Sequence, residues 1–309
     1  MEKAANPRRM HPAGARFGIW PAPDGWPLRR MDWPQDGQGK ARGSLVFAAG
    51  RGDFIEKYLE AFAHWHEGGW NVTAFDWRGQ GGSLGAGFGF ESFDVLVDDL
   101  AALLAGWCAH APGPHVAIAH SMGGHVLLRA LIERRPALDA AVLVAPMIAV
   151  NSAPTPSWLA PTVANAMCGL GLGPMPMWKT VPAMRRPGAQ RQRNLTGSLE
   201  RYEDEAWWWE REPAWNLGAP SWTWLRAAFR SASAFTPAAL AGVDIPVLLL
   251  GAKRDRLVSA GAIARAARRL PRAELEIYAE AAHELLREAD PVRLAALARI
   301  DAFLDRHAQ

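Results

Sequence analysis

A serine set between small residues, with an aspartate and then a histidine far downstream, is the pattern in this chain that could do covalent chemistry. Ser121 lies in His115-Val116-Ala117-Ile118-Ala119-His120-Ser121-Met122-Gly123-Gly124-His125. A serine hydroxyl is a weak nucleophile near neutral pH. It needs a base to take its proton and a carboxylate to orient that base and stabilise its charge. The chain has nine histidines. His64 and His66 fall in a helical pattern, His110 and His115 flank a loop, and His11 and His307 are near the ends. His120 and His125 adjoin the serine but point elsewhere in a strand–turn–helix. His283, in Ala281-Ala282-His283-Glu284, follows a late strand and is the candidate base. Asp255, just after Leu248-Leu249-Leu250-Gly251, is the candidate carboxylate. Singly, each has a plainer reading: Asp255 as a solvated charge among Lys253, Arg254 and Arg256, His283 as a packed loop residue. Three such groups at three strand ends are expected to act together, in acyl transfer.

The elements that must position them follow from hydrophobic pattern. Val116 to Ala119 is an apolar run that reads as a buried strand, and Val126, Leu127, Leu128, Leu131 and Ile132 have helical spacing. Ser121 stands between them at the apex of a tight turn, the nucleophile-elbow pattern G-x-S-x-G with Ala119 in place of the first glycine. The following helix points its positive end and free N–H groups at the serine. Developing negative charge on a substrate oxygen needs donors already in place. The backbone N–H of Met122 is one candidate. The other is that of Arg51, in Gly50-Arg51-Gly52 after a predicted strand at Ser44–Ala49. The Arg51 side chain is expected at the surface, contact with an anionic headgroup being the other reading.

Residues 1–14 read as a loose tail. Arg16–Pro21 and Leu28–Trp33 flank a Pro23-Asp24-Gly25 turn and read as an edge hairpin. Strands are expected at Val72–Trp77, Ala140–Ala145, Val247–Leu250 and Glu274–Tyr278. Helices are expected at Phe54–Trp65, Asp94–Trp107, Ala260–Arg269 and Pro291–Arg306. This alternation implies a mostly parallel sheet covered on both faces, with working residues at the carboxyl ends of strands. From 151 to about 240 the alternation stops and the chain reads as helical. Eight of the fifteen tryptophans fall there, Trp158, Trp178, Trp207, Trp208, Trp209, Trp215, Trp222 and Trp224, enough to build a local core. Trp207, Trp208 and Trp209 cannot all face inward on one helix, because successive residues point about 100° apart. At least one is expected to line a pocket or face a partner or lipid surface. Arg185, Arg186, Arg191 and Arg193 form a basic run, open to two readings: a solvated loop, or a docking patch for anionic headgroups.

A chain of 309 residues, 50% hydrophobic, suits one α/β domain with an insertion. A net charge of +3 is too small for a nucleic-acid footprint. Cys108 and Cys168 lie in apolar stretches without metal-ligand spacing and read as buried small hydrophobes. No apolar run reaches the roughly 18 residues that span a bilayer, and the first residues lack a signal-peptide core, so a cytoplasmic protein is expected.

The motifs also carry a family likeness. AHSMGGH resembles the GHSMGG elbow of the monoacylglycerol lipase and lysophospholipase branch of the α/β-hydrolases, the serine aminopeptidase S33-type hydrolases. AAGRGDFIEKYLE resembles that branch's oxyanion loop and helix, with Ala49-Gly50 where a histidine–glycine pair is common. AFDWRGQGGS is similar to its D-x-R-G-x-G-x-S loop, and LLLGAKRDRLVS and YAEAAHELLRE match its acid and histidine segments. The order Ser121, Asp255, His283 is that of this fold. The likeness spans residues 40–306 except the middle. It implies an eight-stranded, mostly parallel sheet with helices on both faces, a core of 1–150 and 241–309, and a helical cap at 151–240. It implies a serine esterase acting through an acyl-enzyme on a small lipid-like ester, a monoacylglycerol or lysophospholipid, with no cofactor or metal and with peripheral membrane contact open. Lactone, thioester or carbon–carbon cleavage by the same residues are rivals. An aspartate-nucleophile enzyme is disfavoured by Ser121, and a non-catalytic binding module would not need all three groups.

Overall fold

The computed structural model describes residues 6–35, 41–84, 90, 92–152, 155–177 and 189–309. The strands are β1 (Arg16–Pro21), β2 (Pro27–Trp33), β3 (Gly43–Ala48), β4 (Trp70–Phe75), β5 (His115–His120), β6 (Ala140–Val144), β7 (Val247–Ala252) and β8 (Ala273–Tyr278). They form one eight-stranded sheet in the order β1-β2-β4-β3-β5-β6-β7-β8. The β1–β2 hairpin joins antiparallel to β4, and all the other pairings are parallel. Strand β5, which leads into Ser121, is therefore central, between β3 and β6.

Alternate residues of the inner strands feed two separate cores. Val46, Ala117 and Leu249 face one, packed by helices α2 (Asp94–His110), α3 (Met122–Glu133) and α9 (Ala260–Ala267). Leu45, Ile118 and Leu250 face the other, packed by α1 (Leu59–Glu67) and α10 (Asp290–His307). Burial on both faces is why these strands read as unbroken apolar runs. The segment expected to be helical from Phe54 begins instead as a 3-10 turn at Ile55–Tyr58, and the α-helix starts at Leu59.

Between β6 and β7 the chain leaves the sheet and makes α4 (Ala160–Gly169), α5 (Ala189–Leu195), α6 (Leu199–Arg211), α7 (Trp222–Ala232) and α8 (Pro237–Ala241). Ser198 and Ser221 cap α6 and α7 by accepting N–H groups of Arg201 and Trp224. Trp178, Arg185 and Arg186 lie outside the described residues.

Two expectations are corrected. The segment from Asn6 is not loose: Arg8 and Arg9 pair with Asp204 of α6, Arg8 also with Glu200, and Trp208 Nε1 donates to the Arg8 carbonyl at 3.1 Å. Carboxylates nearly two hundred positions downstream hold this basic segment in place. Cys108 and Cys168 are half-buried, not interior. Among the described residues no helix is long and apolar enough to cross a membrane.

The turn from β5 to α3 needs its glycines. A Cβ on Gly123 would lie 2.3 Å from the Ala48 carbonyl oxygen and 2.5 Å from that of Ala49, both main-chain atoms of the neighbouring strand end. Gly123→Ala is expected to lower stability by about 1–3 kcal/mol, the usual cost of overpacking. Gly18→Ala, at an open edge-strand site, should stay within about 0.5 kcal/mol. Urea unfolding of both variants checks the contrast.

Candidate active site

Ser121 is the only residue between β5 and α3. It has φ 52° and ψ −113°, a conformation that costs a non-glycine residue about 1–3 kcal/mol and persists only when its surroundings enforce it. The enforcement is visible. Ser121 N–H donates to the Val144 carbonyl at 3.0 Å, and its own carbonyl accepts from Met147 at 3.0 Å and His125 at 3.1 Å.

The structure brings Asp255 and His283 to this turn. His283 Nε2 is 2.8 Å from Ser121 Oγ, and His283 Nδ1 is 2.6 Å from Asp255 Oδ2. A carboxylate only accepts, so Nδ1 carries the proton and Nε2 is left to accept from the serine hydroxyl. Asp255 Oδ1 accepts from Leu257 N–H at 2.7 Å and Val258 N–H at 2.9 Å. Its side chain is 1% exposed, so the solvated-charge reading fails. Burial disfavours a charged His283, but the Asp255 carboxylate outweighs it, with help from Glu284 and Asp53, and the imidazole pKa is raised above its ordinary value.

The loop after β3 lies against the nucleophile: a Cβ on Gly50 would be 3.2 Å from Ser121 Cβ. Gly50 N–H donates to Asp53 Oδ2 at 2.9 Å and Gly52 N–H to Gln80 Oε1 at 2.5 Å. The N–H groups flanking Arg51 are thus occupied. Those of Arg51 and of Met122, the first residue of α3, donate to no protein acceptor among the described residues.

Sequence reasoning missed a buried charge cluster behind the site. Asp53 accepts from Lys57 Nζ, from Tyr58 OH at 2.8 Å and from Gly50 N–H, and lies 3.2 Å from His120 Nδ1. Lys57 Nζ is also 3.0 Å from Glu205 of α6 and 3.0 Å from Glu284. Arg287 pairs with Glu284, and Arg191 with Glu205. The cluster therefore holds the residue beside Arg51, the residue beside Ser121 and the residue beside His283. Burial would raise the Asp53 carboxyl, but the Lys57 ammonium outweighs it and holds the group well below the usual range. Burial opposes charge on Lys57, and Asp53, Glu205 and Glu284 together push its pKa up. His120, expected to point away from the serine, has its ring centroid 4.8 Å from that of His283.

The tryptophan triplet sits elsewhere. Trp208 is buried against His11 and Trp215, Trp207 meets Arg9 and Arg211, and Trp209 lies over Arg191. The insertion tryptophan that meets the Gly50–Gly52 loop is Trp224, whose ring is 5.3 Å from the Arg51 guanidinium carbon. A groove of about 490 Å³, lined by Ser44, Asn71 and Thr73 among others, opens by the amino-terminal ends of β3 and β4, whereas Ser121 follows the carboxyl end of β5.

Two expectations follow. Only neutral His283 can accept a proton, so a raised imidazole pKa moves the acid limb of kcat/KM above the ordinary histidine value near 6.5. Asp255→Asn removes the main raising influence and leaves burial, so that limb should move down, with kcat reduced about 10,000-fold. A pH–rate profile of both proteins tests this. Lys57→Met takes the ammonium from buried Asp53, while Glu205 and Glu284 keep Arg191 and Arg287, and urea unfolding should show a loss of about 3–5 kcal/mol.

The arrangement has relatives. The family model described as "Serine aminopeptidase, S33" matches residues 39–290. Lysophospholipase L2 of Escherichia coli is 29% identical over 299 residues, covering 85% of this chain and 80% of that protein. A probable lysophospholipase L2 of Haemophilus influenzae is 26% identical over 271 residues, covering 84% and 83%. A monoglyceride lipase from Saccharomyces cerevisiae superposes with a TM-score of 0.75 at 16% identity, over 99% of this chain and 100% of that one. A monoacylglycerol lipase of Paleococcus ferrophilus gives 0.70 at 19%, over 90% and 98%. At those identities the two structures speak for the fold alone, while the family match spans most of the sequence. This chain belongs to the serine aminopeptidase S33 family of α/β-hydrolases.

Proposed function

We propose that the protein hydrolyses a carboxylic ester of a lipid-like substrate, a monoacylglycerol or lysophospholipid, through an acyl-enzyme on Ser121. The observation that carries the reading is the continuous relay from Asp255 through His283 to the Ser121 hydroxyl, 2.6 Å and then 2.8 Å. Ser121 Oγ attacks the ester carbonyl while His283 Nε2 takes its proton. The tetrahedral oxyanion accepts hydrogen bonds from Met122 N–H and Arg51 N–H. His283 returns the proton to the leaving alcohol, the carbonyl re-forms, and the acyl group stays on Ser121. Water attacks the acyl carbon while His283 takes its proton, and His283 then gives that proton to Ser121 Oγ as the acyl–oxygen bond breaks and the acid leaves.

Residues 151–240 act as the cap. The contacts of Gly218, Ala219 and Trp224 with Arg51 support this, since they set the insertion against the oxyanion loop. Trp158 and Leu170, 77% and 73% exposed on the flanks of α4, support peripheral contact with a lipid surface from a cytoplasmic protein. The lysophospholipase names of the relatives favour a lipid ester over a peptide.

A series of p-nitrophenyl esters, monoacylglycerols and lysophospholipids of increasing acyl length, with an aminoacyl anilide beside them, tests the reading. Turnover of the lipid esters is expected, reduced on the order of 10⁵-fold or more in Ser121→Ala. Preference for the anilide, or full activity in that variant, would refute it.

A further inference from the structure

Ester hydrolysis uses the main chain of Arg51 and leaves its side chain without a task. That side chain is half-buried, not the surface group expected from the sequence. Nη1 donates to the Gly218 carbonyl at 2.9 Å and Nη2 to that of Ala219 at 3.1 Å. Trp224 lies beside the guanidinium, and Nε is enclosed with no acceptor among the described residues.

What is missing is a carboxylate. Arg29, Arg78, Arg129, Arg201 and Arg287 are all largely enclosed, and each holds at least one. Arg51 has none among the described residues. Burial pulls its pKa down to about 10, which still leaves it charged near neutrality. Two carbonyls and a ring face solvate a cation only in part, and a desolvated charge without a counter-ion is destabilising. Such a group is poised to gain from an incoming anion. Of its five N–H groups, two are spent on carbonyls and Nε–H is enclosed, so the second N–H groups of Nη1 and Nη2 are the ones left to meet a phosphate.

Its place fits the chemistry. Arg51 follows Gly50, which abuts Ser121, so the cation belongs to the same loop that meets the ester. In a lysophospholipid the phosphodiester is separated from the scissile ester by the glycerol unit alone. A monoacylglycerol offers only a neutral hydroxyl at that point.

We propose that Arg51 is a specificity residue that selects lysophospholipids over neutral monoacylglycerols by pairing its guanidinium with the phosphodiester. This rests on the ester-hydrolase reading of Ser121 and narrows its substrate class.

The test compares kcat/KM for palmitoyl lysophosphatidylglycerol and palmitoyl monoacylglycerol in neutral detergent micelles, for wild type, Arg51→Gln and Arg51→Lys. Both rates are free to fall in the variants, because the residue sits in the oxyanion loop; the readout is their ratio. Wild type should favour the lysophospholipid. The ratio should drop about tenfold or more in Arg51→Gln, the size expected for one charge-assisted contact, and recover in part in Arg51→Lys. A wild-type preference for the monoacylglycerol, or the same ratio in all three proteins, overturns the proposal. Calorimetric binding of dodecyl phosphate decides it without turnover: about tenfold weaker binding by Arg51→Gln supports it, and equal binding overturns it. Loss of all ester turnover in wild type would instead strike the parent reading, with dodecyl phosphate still deciding Arg51.

Discussion

A strand that becomes a helix across a single residue is the constraint on which the site depends. Ser121 is held at positive φ by the carbonyl of Val144, the last residue of β6, and the N–H of Met147 in the loop beyond it. The helix begins so soon that Met122 N–H has no intrahelical partner. It also begins so close to β3 that only glycine fits at 123, against the carbonyls of Ala48 and Ala49. The same closeness sets the Gly50–Gly52 loop beside the serine. The placement of the serine hydroxyl, the free N–H of Met122 and the closeness of the neighbouring loop are thus consequences of one turn.

A reactive turn works only if its partners keep their distance to a fraction of an ångström. Ladder hydrogen bonds and packing fix the strands, but His283 and Arg51 stand on loops. The buried cluster around Asp53 and Lys57 supplies the missing rigidity by gripping main chain and side chains next to each working residue. The helical insertion takes part: Glu205 completes the set around Lys57, and the Leu195 carbonyl accepts from Glu284 N–H at 2.7 Å. The insertion is therefore tied electrostatically to the loop that carries the imidazole.

The middle of the sheet was legible because both faces of β3, β5, β6 and β7 are buried, so these strands are apolar runs. Ser121 and Asp255 were legible for a related reason, since each comes within three residues of such a run; His283 follows β8, whose apolar residues alternate with Glu274 and Glu276. The charge cluster was not. Asp53, Lys57, Glu205 and Glu284 look like ordinary surface residues, and nothing local reveals that four elements fold them inward. Arg8 and Arg9 resembled a loose tail because their partner, Asp204, lies on a helix far away in sequence. Trp207, Trp208 and Trp209 stand out by number, yet among the described residues it is Trp224 that meets Arg51, since which face a helix presents is set by its tertiary neighbours.

The central claim is that Ser121 is a nucleophile because His283 and Asp255 make it one. A fluorophosphonate reacts covalently with an activated serine, and peptide mass spectrometry locates the adduct. Stoichiometric labelling confined to the peptide bearing Ser121, and lost when His283 is replaced by alanine in a protein that still folds, is the expected result. An unlabelled Ser121 in active wild-type protein, or labelling indifferent to His283, would contradict it.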